Sequence, residues 1–291
     1  MTNGRDSMRV LVTGAAGQLG HDVCERLTSL GVENRGVDAE DFDLRDREAV
    51  RRAVLEYAPT HVVHCGAYTA VDRAEAEQDL CMAVNAAGTE NIAKACREAG
   101  ADLMYFSTDY VFDGKSSEMP WETDAPAAPI NVYGRSKYEG EQAVRENVQN
   151  HYILRISWVF GANGANFVKT MLRLSDEKPE ITVVCDQYGA PTYTKDLAVL
   201  VSDMLGSGRY GTYHTPNEGM TSWYDFANEI MQAAGRRTRI VPVASKDYPA
   251  AAARPKNSRL STRALRDAGF QPLPHYHDAL VRYLGEIGAV Q

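Results

Sequence analysis

The sequence is poor in cysteine, lacks long apolar runs and carries no excess of positive charge. Its five cysteines include no Cys-x-x-Cys pair, and their number is odd. This usage argues against a disulfide framework or a zinc site and favours a reducing cytoplasm. No apolar run approaches the ~20 residues that span a bilayer. The net charge of −8 argues against nucleic acid and anionic membranes as partners.

The chain length of 291 residues allows one large domain or two unequal ones. Residues 1–7 are polar and lack the apolar segment of a signal peptide, so we expect a flexible lead-in. From residue 8 to about residue 160, short β-branched runs alternate with helical patterns. Strands are predicted at 8–14, 32–38, 61–68, 101–108 and 151–161, and helices at 19–30, 45–57, 79–99 and 132–147. This alternation predicts an α/β fold with a Rossmann-type, doubly wound parallel sheet over residues 8–160.

Beyond residue 160 the alternation weakens. Helices are predicted for 167–174, 194–205 and 223–235, a strand for 181–184, strand and turn for 210–219, a loop for 246–258 and a short helix after Pro274. We interpret residues 161–291 mainly as a smaller, C-terminal substrate-binding domain. Some of its segments could return to the first domain.

Three glycines, Gly14, Gly17 and Gly20, lie between the first predicted strand and the first helix. Glycine lets the backbone approach a pyrophosphate, and a helix N-terminus offers free N–H groups and a positive dipole end. The spacing is G-x-x-G-x-x-G rather than the commoner G-x-G-x-x-G. In this strand–loop–helix context the glycines predict a dinucleotide site.

Asp38 ends the second predicted strand, about 20 residues after the glycines, where an acidic side chain usually accepts from the ribose hydroxyls. A carboxylate there would repel a 2′-phosphate, which favours NADH over NADPH. Arg35 and Arg45 are near enough in sequence to soften that preference. Asp43 and Leu44, just before the next helix, could bracket the adenine.

Tyr133 and Lys137 form a Tyr-x-x-x-Lys pair on a predicted helix, where residues four apart share one face. A tyrosine has a reference pKa near ~10, and a nearby ammonium favours its deprotonation. Thr108, at the end of the fourth predicted strand, can add a second hydroxyl to the same substrate oxygen. Together these residues predict a general acid and a polarising donor for a carbonyl that accepts hydride from a nicotinamide.

The glycine loop, Asp38 and the Tyr-x-x-x-Lys pair together resemble the extended short-chain dehydrogenase/reductase family. Several phrases are similar to the branch that reduces dTDP-4-keto-6-deoxy sugars. They are VTGAAGQLG (12–20), GAYTAVDRAE (66–75), VNAAGTENIA (84–93), STDYVFDG (107–114), NVYGRSKYEGE (131–141), LRISWVFG (154–161), DQYGAPTYTKDLA (186–198) and RPKNSRL (254–260). The resemblance implies reduction by NADPH or NADH of the C4 keto group of dTDP-4-dehydro-6-deoxy-L-mannose, in nucleotide-sugar and cell-surface polysaccharide biosynthesis.

The resemblance also implies roles for individual residues. The cofactor-binding residues it implies are Gly14, Gly17, Gln18, Leu19, Gly20, Asp38, Asp43, Leu44, Ala67, Tyr68, Thr69, Tyr133 and Lys137. The catalytic residues are Thr108, Tyr133 and Lys137. The residues implied for the dTDP-sugar are Thr108, Asp109, Tyr110, Trp158, Asn166 and Arg254, the last for its diphosphate.

One position separates reduction from dehydration. Related sugar-nucleotide dehydratases carry a glutamate where this chain has Tyr110, and that glutamate removes the C5 proton and assists loss of the C6 hydroxyl. Tyrosine is a poor substitute at neutral pH, so the sequence favours plain reduction. A sugar-nucleotide 4-epimerase and a non-catalytic regulatory subunit of the same fold are the alternatives.

Metal and oligomeric state stay open at this level. Some members of the family use Mg²⁺, bound by acidic residues, for dimerisation, and Asp22 stands at one such position in place of glutamate. The sequence does not support a metal site beyond this resemblance. It is compatible with a monomer or a homodimer.

Overall fold

A six-stranded parallel sheet forms the centre of the molecule. The computed structural model describes residues 7–115 and 119–290. Its strands are β1 (Arg9–Thr13), β2 (Glu33–Val37), β3 (His61–His64), β4 (Asp102–Thr108), β5 (His151–Ile156), β6 (Val159–Phe160), β7 (Glu180–Val184), β8 (Tyr188–Gly189), β9 (Thr192–Tyr193), β10 (Gly211–His214), β11 (Asn217–Glu218), β12 (Thr221–Ser222), β13 (Arg239–Val243) and β14 (Leu273–His275). The central sheet has the order β10-β5-β4-β3-β1-β2, and every neighbouring pair in it is parallel. The predicted α/β fold with a parallel sheet is confirmed.

Helices cover both faces of this sheet. They are α1 (Gln18–Ser29), α2 (Arg47–Tyr57), α3 (Val71–Ala74), α4 (Gln78–Met82), α5 (Gly88–Ala99), α6 (Val132–Asn147), α7 (Phe167–Glu177), α8 (Thr194–Met204), α9 (Trp223–Ala233), α10 (Arg263–Asp267) and α11 (Tyr276–Glu286). Successive side chains of a strand point to opposite faces. Accordingly, Val10 and Val12 are buried with residues of α1 and α8, whereas Leu11 is buried with residues of α2, α5 and α6. None of the helices in the described ranges is long and apolar enough to cross a membrane.

Part of the chain beyond residue 160 completes the central sheet and the helices that cover it. β10 pairs with β5 at the edge of the sheet, and α8 packs against α1. Leu197 and Val201 of α8 are fully buried in the same core as Val10 and Val23. The first core therefore depends on residues from both ends of the sequence.

A second core lies in the C-terminal part. It is built from α7, α9 and α11 around the parallel pair β7 and β13, with Val168, Phe226, Ile230 and Leu280 fully buried. Phe160 of β6 also belongs to it, which connects this core to the chain that leaves the central sheet.

The structure departs from the predicted elements at several places. The strand predicted at 151–161 is interrupted after Ile156 and divides into β5 and β6. The single helix predicted at 79–99 is α4 and α5 joined by a π-helical turn, Ala83–Ala87. Such turns are frequent at functional sites. β13 had no counterpart in the prediction, because Pro242 interrupts a short apolar run that would otherwise read as a strand. Residues 1–6 of the predicted lead-in lie outside the described residues.

Candidate active site

The glycine-rich loop turns between β1 and α1 with almost no room for side chains. Gly14 has φ 68°, and a Cβ on it would lie 2.6 Å from the backbone nitrogen of Gly66. A Cβ on Gly20 would collide with the Gly14 carbonyl. Gly17 is the N-cap of α1 and provides no side-chain acceptor for the first amides of the helix. This loop can therefore bring backbone N–H groups up to a pyrophosphate, as a dinucleotide site requires.

Two adjoining cavities meet at this loop and share Gly14, Asp38, Gly66 and Ala67. The Asp43 cavity is also lined by Val37, Phe42, Asp43, Leu44, Arg45, Tyr68 and Leu80. The Tyr133 cavity is also lined by Gln18, Leu19, Thr69, Thr108, Asp109, Tyr110, Tyr133, Lys137, Trp158 and Trp223. The structure thus brings the predicted cofactor-binding residues together along one continuous hollow. Its apolar side chains and few charged groups fit a dinucleotide.

Asp38 ties the glycine-rich loop to the end of β2. One carboxylate oxygen accepts a hydrogen bond from the Ala16 amide at 2.8 Å, and the other accepts from the Ala39 amide at 2.8 Å. A carboxylate has about four acceptor sites, so the group can still accept from a ribose hydroxyl. Its contact with the ribose, and the preference for NADH drawn from it, stay predictions.

Asp43 is held in place by the side chain of Arg45. The Arg45 guanidinium donates to both carboxylate oxygens, with Nε 2.9 Å from Oδ1 and Nη2 2.5 Å from Oδ2. These hydrogen bonds lower the pKa of the Asp43 carboxyl group. Arg45 is therefore paired with Asp43 at the rim of the Asp43 cavity.

Thr108 lies at the carboxyl end of β4, where parallel sheets place their ligands. Its hydroxyl donates to Asp109 Oδ1 at 3.0 Å and accepts from the Tyr110 amide at 3.2 Å. Burial raises the pKa of the Asp109 carboxyl to about 6, while hydrogen bonds from Ser258 and Thr108 oppose that rise. The short 3₁₀ turn after β4 therefore fixes the Thr108 side chain at the cavity wall.

Tyr133 lies in the first turn of α6 and lines the same cavity as Thr108. Asn131 caps this helix by accepting from the Gly134 amide at 2.7 Å. Burial raises the pKa of the Tyr133 hydroxyl, the Asp109 carboxylate raises it further, and the nearby Thr108 hydroxyl lowers it. The sequence suggested a lowering by Lys137, but Lys137 is not among the groups that shift this pKa, and Tyr133 keeps its proton at neutral pH.

Lys137 lies one helical turn further along α6 and is only 4% exposed. Its Nζ is 4.2 Å from the centroid of the Tyr105 ring. Burial lowers the pKa of the Lys137 ammonium to about 7, and the carboxylate of Glu141 is the largest influence against that shift. The lysine is thus held between its charged and neutral forms near neutral pH.

Tyr110 and Arg254 border a third hollow, which we call the Arg254 cavity. It is lined by Asp72, Tyr110, Phe167, Met171, Val184, Gln187, Trp223, Lys246, Arg254 and Lys256, among others. The Arg254 guanidinium donates to both oxygens of Asp72, at 3.0 and 2.6 Å. The ring of Tyr110 meets that of Tyr133 edge to face, with centroids 5.8 Å apart. Tyr110 and Trp223 line both the Tyr133 cavity and the Arg254 cavity.

Asn166 is the N-cap of α7, and its side chain has several hydrogen-bond partners. It accepts from the Lys169 amide at 3.0 Å, and its side-chain nitrogen lies 3.1 Å from Gln18 Oε1 and 3.0 Å from the Tyr283 hydroxyl. Asn163, in the loop before it, donates to the Ala16 carbonyl at 2.6 Å. Both asparagines thus connect this loop to the glycine-rich loop. The role of Asn166 toward the sugar stays a prediction.

One group of side chains in the described ranges could hold a metal. It consists of His21, Asp22 and Glu25, whose ligand atoms lie within 4.8 Å of one another. Asp22 is buried, and its Oδ1 lies 3.4 Å from His21 Nδ1. His21 and Glu25 are exposed, and such groups are common without an ion, so the Mg²⁺ raised by the family resemblance alone is untested.

Comparison with known proteins places the chain in a family. The family model described as RmlD substrate binding domain matches residues 8–288. A dTDP-4-dehydrorhamnose reductase from Streptomyces griseus is 41% identical over 279 residues, which cover 94% of this chain and 91% of that protein. The chain belongs to the RmlD family of dTDP-4-dehydrorhamnose reductases.

Two further relatives agree with membership of the RmlD family. The spore coat polysaccharide biosynthesis protein SpsK of Bacillus subtilis is 42% identical over 278 residues, covering 96% of this chain and 97% of that protein. A crystal structure of dTDP-4-dehydrorhamnose reductase from Bacillus anthracis in complex with NADP is 43% identical. It superposes with a TM-score of 0.93 over 96% of this chain and 99% of that one. The resemblance drawn from the sequence is confirmed.

Within this RmlD family member, Trp223 and Asn163 are among the residues of the site that sequence reasoning missed. Trp223 lines two cavities, and Asn163 contacts the glycine-rich loop. Both lie in the C-terminal half, outside any motif with a known spacing. The only signal was local, since Ser222 precedes Trp223 as a typical helix cap.

Proposed function

We propose that this chain is an NAD(P)H-dependent dTDP-4-dehydrorhamnose reductase, which reduces the C4 keto group of the sugar to give dTDP-L-rhamnose. The observation that carries the proposal is that Tyr133, Thr108 and Lys137 line one cavity together with the glycine-rich loop. A proton donor, a second hydroxyl and a dinucleotide-binding loop thus face one space. Family membership supports the same substrate.

Tyr133 acts as the general acid. When bound, the nicotinamide supplies hydride to C4, and the oxygen of the former carbonyl needs one proton to become a hydroxyl. Because burial raises the pKa of Tyr133, the residue is protonated before the reaction and can donate from its Oη. The proton then has to be replaced from solvent after each turnover.

Thr108 and Lys137 support that transfer. The Thr108 hydroxyl, held by Asp109 and the Tyr110 amide, stands beside the Tyr133 hydroxyl and can bind the same substrate oxygen. In its charged form Lys137 stabilises the phenolate left on Tyr133. We also assign Lys137 to the nicotinamide ribose, and Asp38, Asp43, Leu44, Ala67, Tyr68 and Thr69 to the rest of the cofactor.

Tyr110 limits the chemistry to reduction. Burial and the neighbouring Asp109 raise the pKa of its hydroxyl, so it does not act as a base at neutral pH. A dehydratase needs a group there that accepts the C5 proton. Tyr110 instead lines the Arg254 cavity beside Arg254, whose guanidinium can bind a diphosphate.

The linings of the cavities support different binding roles for the two parts of the chain. We propose that residues 8–160 bind the cofactor and that residues 161–291 mainly bind the dTDP-sugar. The lining of the Asp43 cavity comes entirely from residues 13–84, and most of the Arg254 cavity is lined by residues 167–256. We further propose a cytoplasmic location, which the five free cysteines support, and a monomer or homodimer.

The direct test is turnover with dTDP-4-dehydrorhamnose, following oxidation of NADH and NADPH separately. We expect the wild-type protein to oxidise at least one of them. Tyr133→Phe should lower kcat by roughly 10²–10⁴-fold, because positioned proton transfer is lost. Tyr138→Phe is the matched control, since Tyr138 lies on the same helix but packs with Val111, Phe112 and Leu260.

Two outcomes would contradict the proposal. Absence of turnover with both cofactors would exclude the reductase. Purified protein that carries one equivalent of tightly bound NAD⁺ and interconverts C4 epimers of a sugar nucleotide would identify an epimerase. A Tyr133→Phe variant at near wild-type rate would mean that another group supplies the proton.

A further inference from the structure

Trp158 is held in an unusual backbone conformation at the wall of the Tyr133 cavity. Its φ is 50°, in the left-handed region that residues with a side chain rarely adopt. The other such residue among those described, Ala58, ends a helix, where the conformation is common. Trp158 instead connects β5 to β6. Surrounding structure must hold it there, and residues of this kind cluster at active sites.

The backbone on either side of Trp158 is fixed by hydrogen bonds. The Trp158 carbonyl accepts from the Thr192 amide at 3.2 Å. The carbonyl of Ser157 accepts from the Thr192 hydroxyl at 2.6 Å, and the Ser157 hydroxyl donates to the Ala190 carbonyl at 2.6 Å. These bonds set the path of the chain, but they leave the direction of the indole ring to its neighbours.

Two neighbours determine where that ring lies. Trp223 stacks on it with centroids 3.7 Å apart and planes inclined by 14°. Gly189 approaches so closely that a Cβ there would lie 2.7 Å from Cε2 of Trp158. β8 and β12 pair antiparallel, with Thr221 opposite Gly189. Trp223 follows β12 directly, so this pairing holds Gly189 near the start of α9.

Trp223 is itself rigidly supported. It is the first residue of α9, whose cap Ser222 accepts from the Asp225 amide at 3.0 Å. Phe167 packs against its ring, with centroids 4.5 Å apart. Trp223 lines both the Tyr133 cavity and the Arg254 cavity, so it stands where a substrate with a sugar at one end and a nucleotide at the other would cross.

We propose that Trp223 is a positioning residue for the reaction, which holds the Trp158 ring against the ketosugar so that C4 faces Tyr133. The inference rests on the proposed function, because it takes the sugar to occupy the Tyr133 cavity. Trp223 acts through Trp158 and transfers no proton itself. Without the stack, the Trp158 ring can turn away from the cavity, and the sugar loses the wall that orients it.

The test compares Trp223→Ala and Trp223→Phe with the wild type. Two indoles stacked this closely should give a coupled near-ultraviolet circular dichroism signal, which Trp223→Ala abolishes. We expect Trp223→Ala to lower kcat/KM for dTDP-4-dehydrorhamnose by about 100-fold, as misplacement of a substrate does. The Kd for NADPH should stay within about twofold. Trp223→Phe should recover most of the activity, because phenylalanine restores a stacking ring.

A second variant reaches the same ring from the other side. Gly189→Ala leaves Trp223 intact but places a methyl group against Trp158, so it should also lower kcat/KM and change the circular dichroism signal. Trp121→Ala is the control, since Trp121 stacks on Phe112 at 4.7 Å and is absent from the residues that line the two cavities. It should keep the coupled signal and the wild-type kcat/KM.

The results separate this inference from the proposed function. Wild-type protein without turnover contradicts the proposed function. Wild-type turnover with Trp223→Ala and Gly189→Ala both within about twofold in kcat/KM overturns the role of Trp223 alone. Weakening of NADPH binding by the same factor as the loss in kcat/KM would show general loosening instead, and would also overturn it.

Discussion

Burial of the Lys137 ammonium destabilises the native state. Lys137 is buried at 4% exposure, and burial lowers the pKa of its ammonium from 10.5 to about 7. An ammonium in the unfolded chain keeps its proton up to about pH 10. Between these two values the unfolded state binds more protons than the native state. Stability due to this residue therefore rises with pH from about 7 to about 10 and is constant below that window.

Lys137→Met should consequently change how stability depends on pH. In cofactor-free protein, we expect the variant to gain free energy of unfolding relative to the wild type, by up to roughly 4 kcal/mol near pH 7.5 and roughly 1 kcal/mol near pH 9.5. Urea unfolding at the two pH values measures the difference. Lys94→Met is the control, because Lys94 pairs with Glu90 near the surface of α5 and its replacement should change the free energy of unfolding by less than about 1 kcal/mol at either pH. An advantage of Lys137→Met that does not shrink at the higher pH would show that Lys137 has an ordinary pKa.

At the scale of elements, the loop before α7 links the two halves of the chain. Asn163 donates to the Ala16 carbonyl, and Asn166 donates to the Gln18 side chain. The Lys169 ammonium holds the loop from the helix side by donating to the carbonyls of Ala162 and Gly164, at 2.5 and 2.9 Å. The glycine-rich loop is thus shaped in part by residues almost 150 positions away in sequence.

Asn163→Ala should therefore weaken cofactor binding although Asn163 belongs to the C-terminal half. Loss of one or two hydrogen bonds to the glycine-rich loop predicts a rise in the NADPH Kd of roughly two- to tenfold. Titration followed by protein fluorescence measures it. Asn34→Ala serves as control, because Asn34 also donates two hydrogen bonds but lies beside Thr28 at the far end of α1. Equal Kd values for Asn163→Ala and the wild type would mean that the loop keeps its shape without this contact.

The contrast between these contacts and the glycines shows which parts of the site the sequence can predict. Gly14 and the Tyr133–Lys137 pair are recognisable because local geometry, a tight turn or one helical turn, demands certain residues at a set spacing. Trp158 was found only through family resemblance. Trp223 and Asn163 were missed because their roles come from long-range packing. Contacts between residues far apart in sequence cannot be predicted from the spacing of neighbouring residues.

For the whole molecule, the central question is whether its two cores unfold together. The edge strand β10 and the helix α8 come from the C-terminal half but complete the first core. Phe160 carries the chain directly from the central sheet into the second core. The buried pair of Arg155 with Glu141, joined by two bonds of 2.8 Å, fixes β5 against α6 next to β10. The two cores are built from overlapping parts of the chain, so we expect neither core to stay folded when the other unfolds.

Unfolding in urea should therefore be a single cooperative transition in cofactor-free protein. Far-ultraviolet circular dichroism follows both cores. Tryptophan fluorescence follows Trp121, Trp158 and Trp223, none of which lies in β1, β2 or β3. We expect the two transitions to coincide. Leu197→Ala, at a fully buried position of α8, should lower the free energy of unfolding by roughly 2–5 kcal/mol and move both signals together. Val281→Ala, 45% exposed on α11, should move neither by more than roughly 0.5 kcal/mol. A fluorescence transition that stays in place while the circular dichroism transition shifts in Leu197→Ala would show that the halves unfold independently.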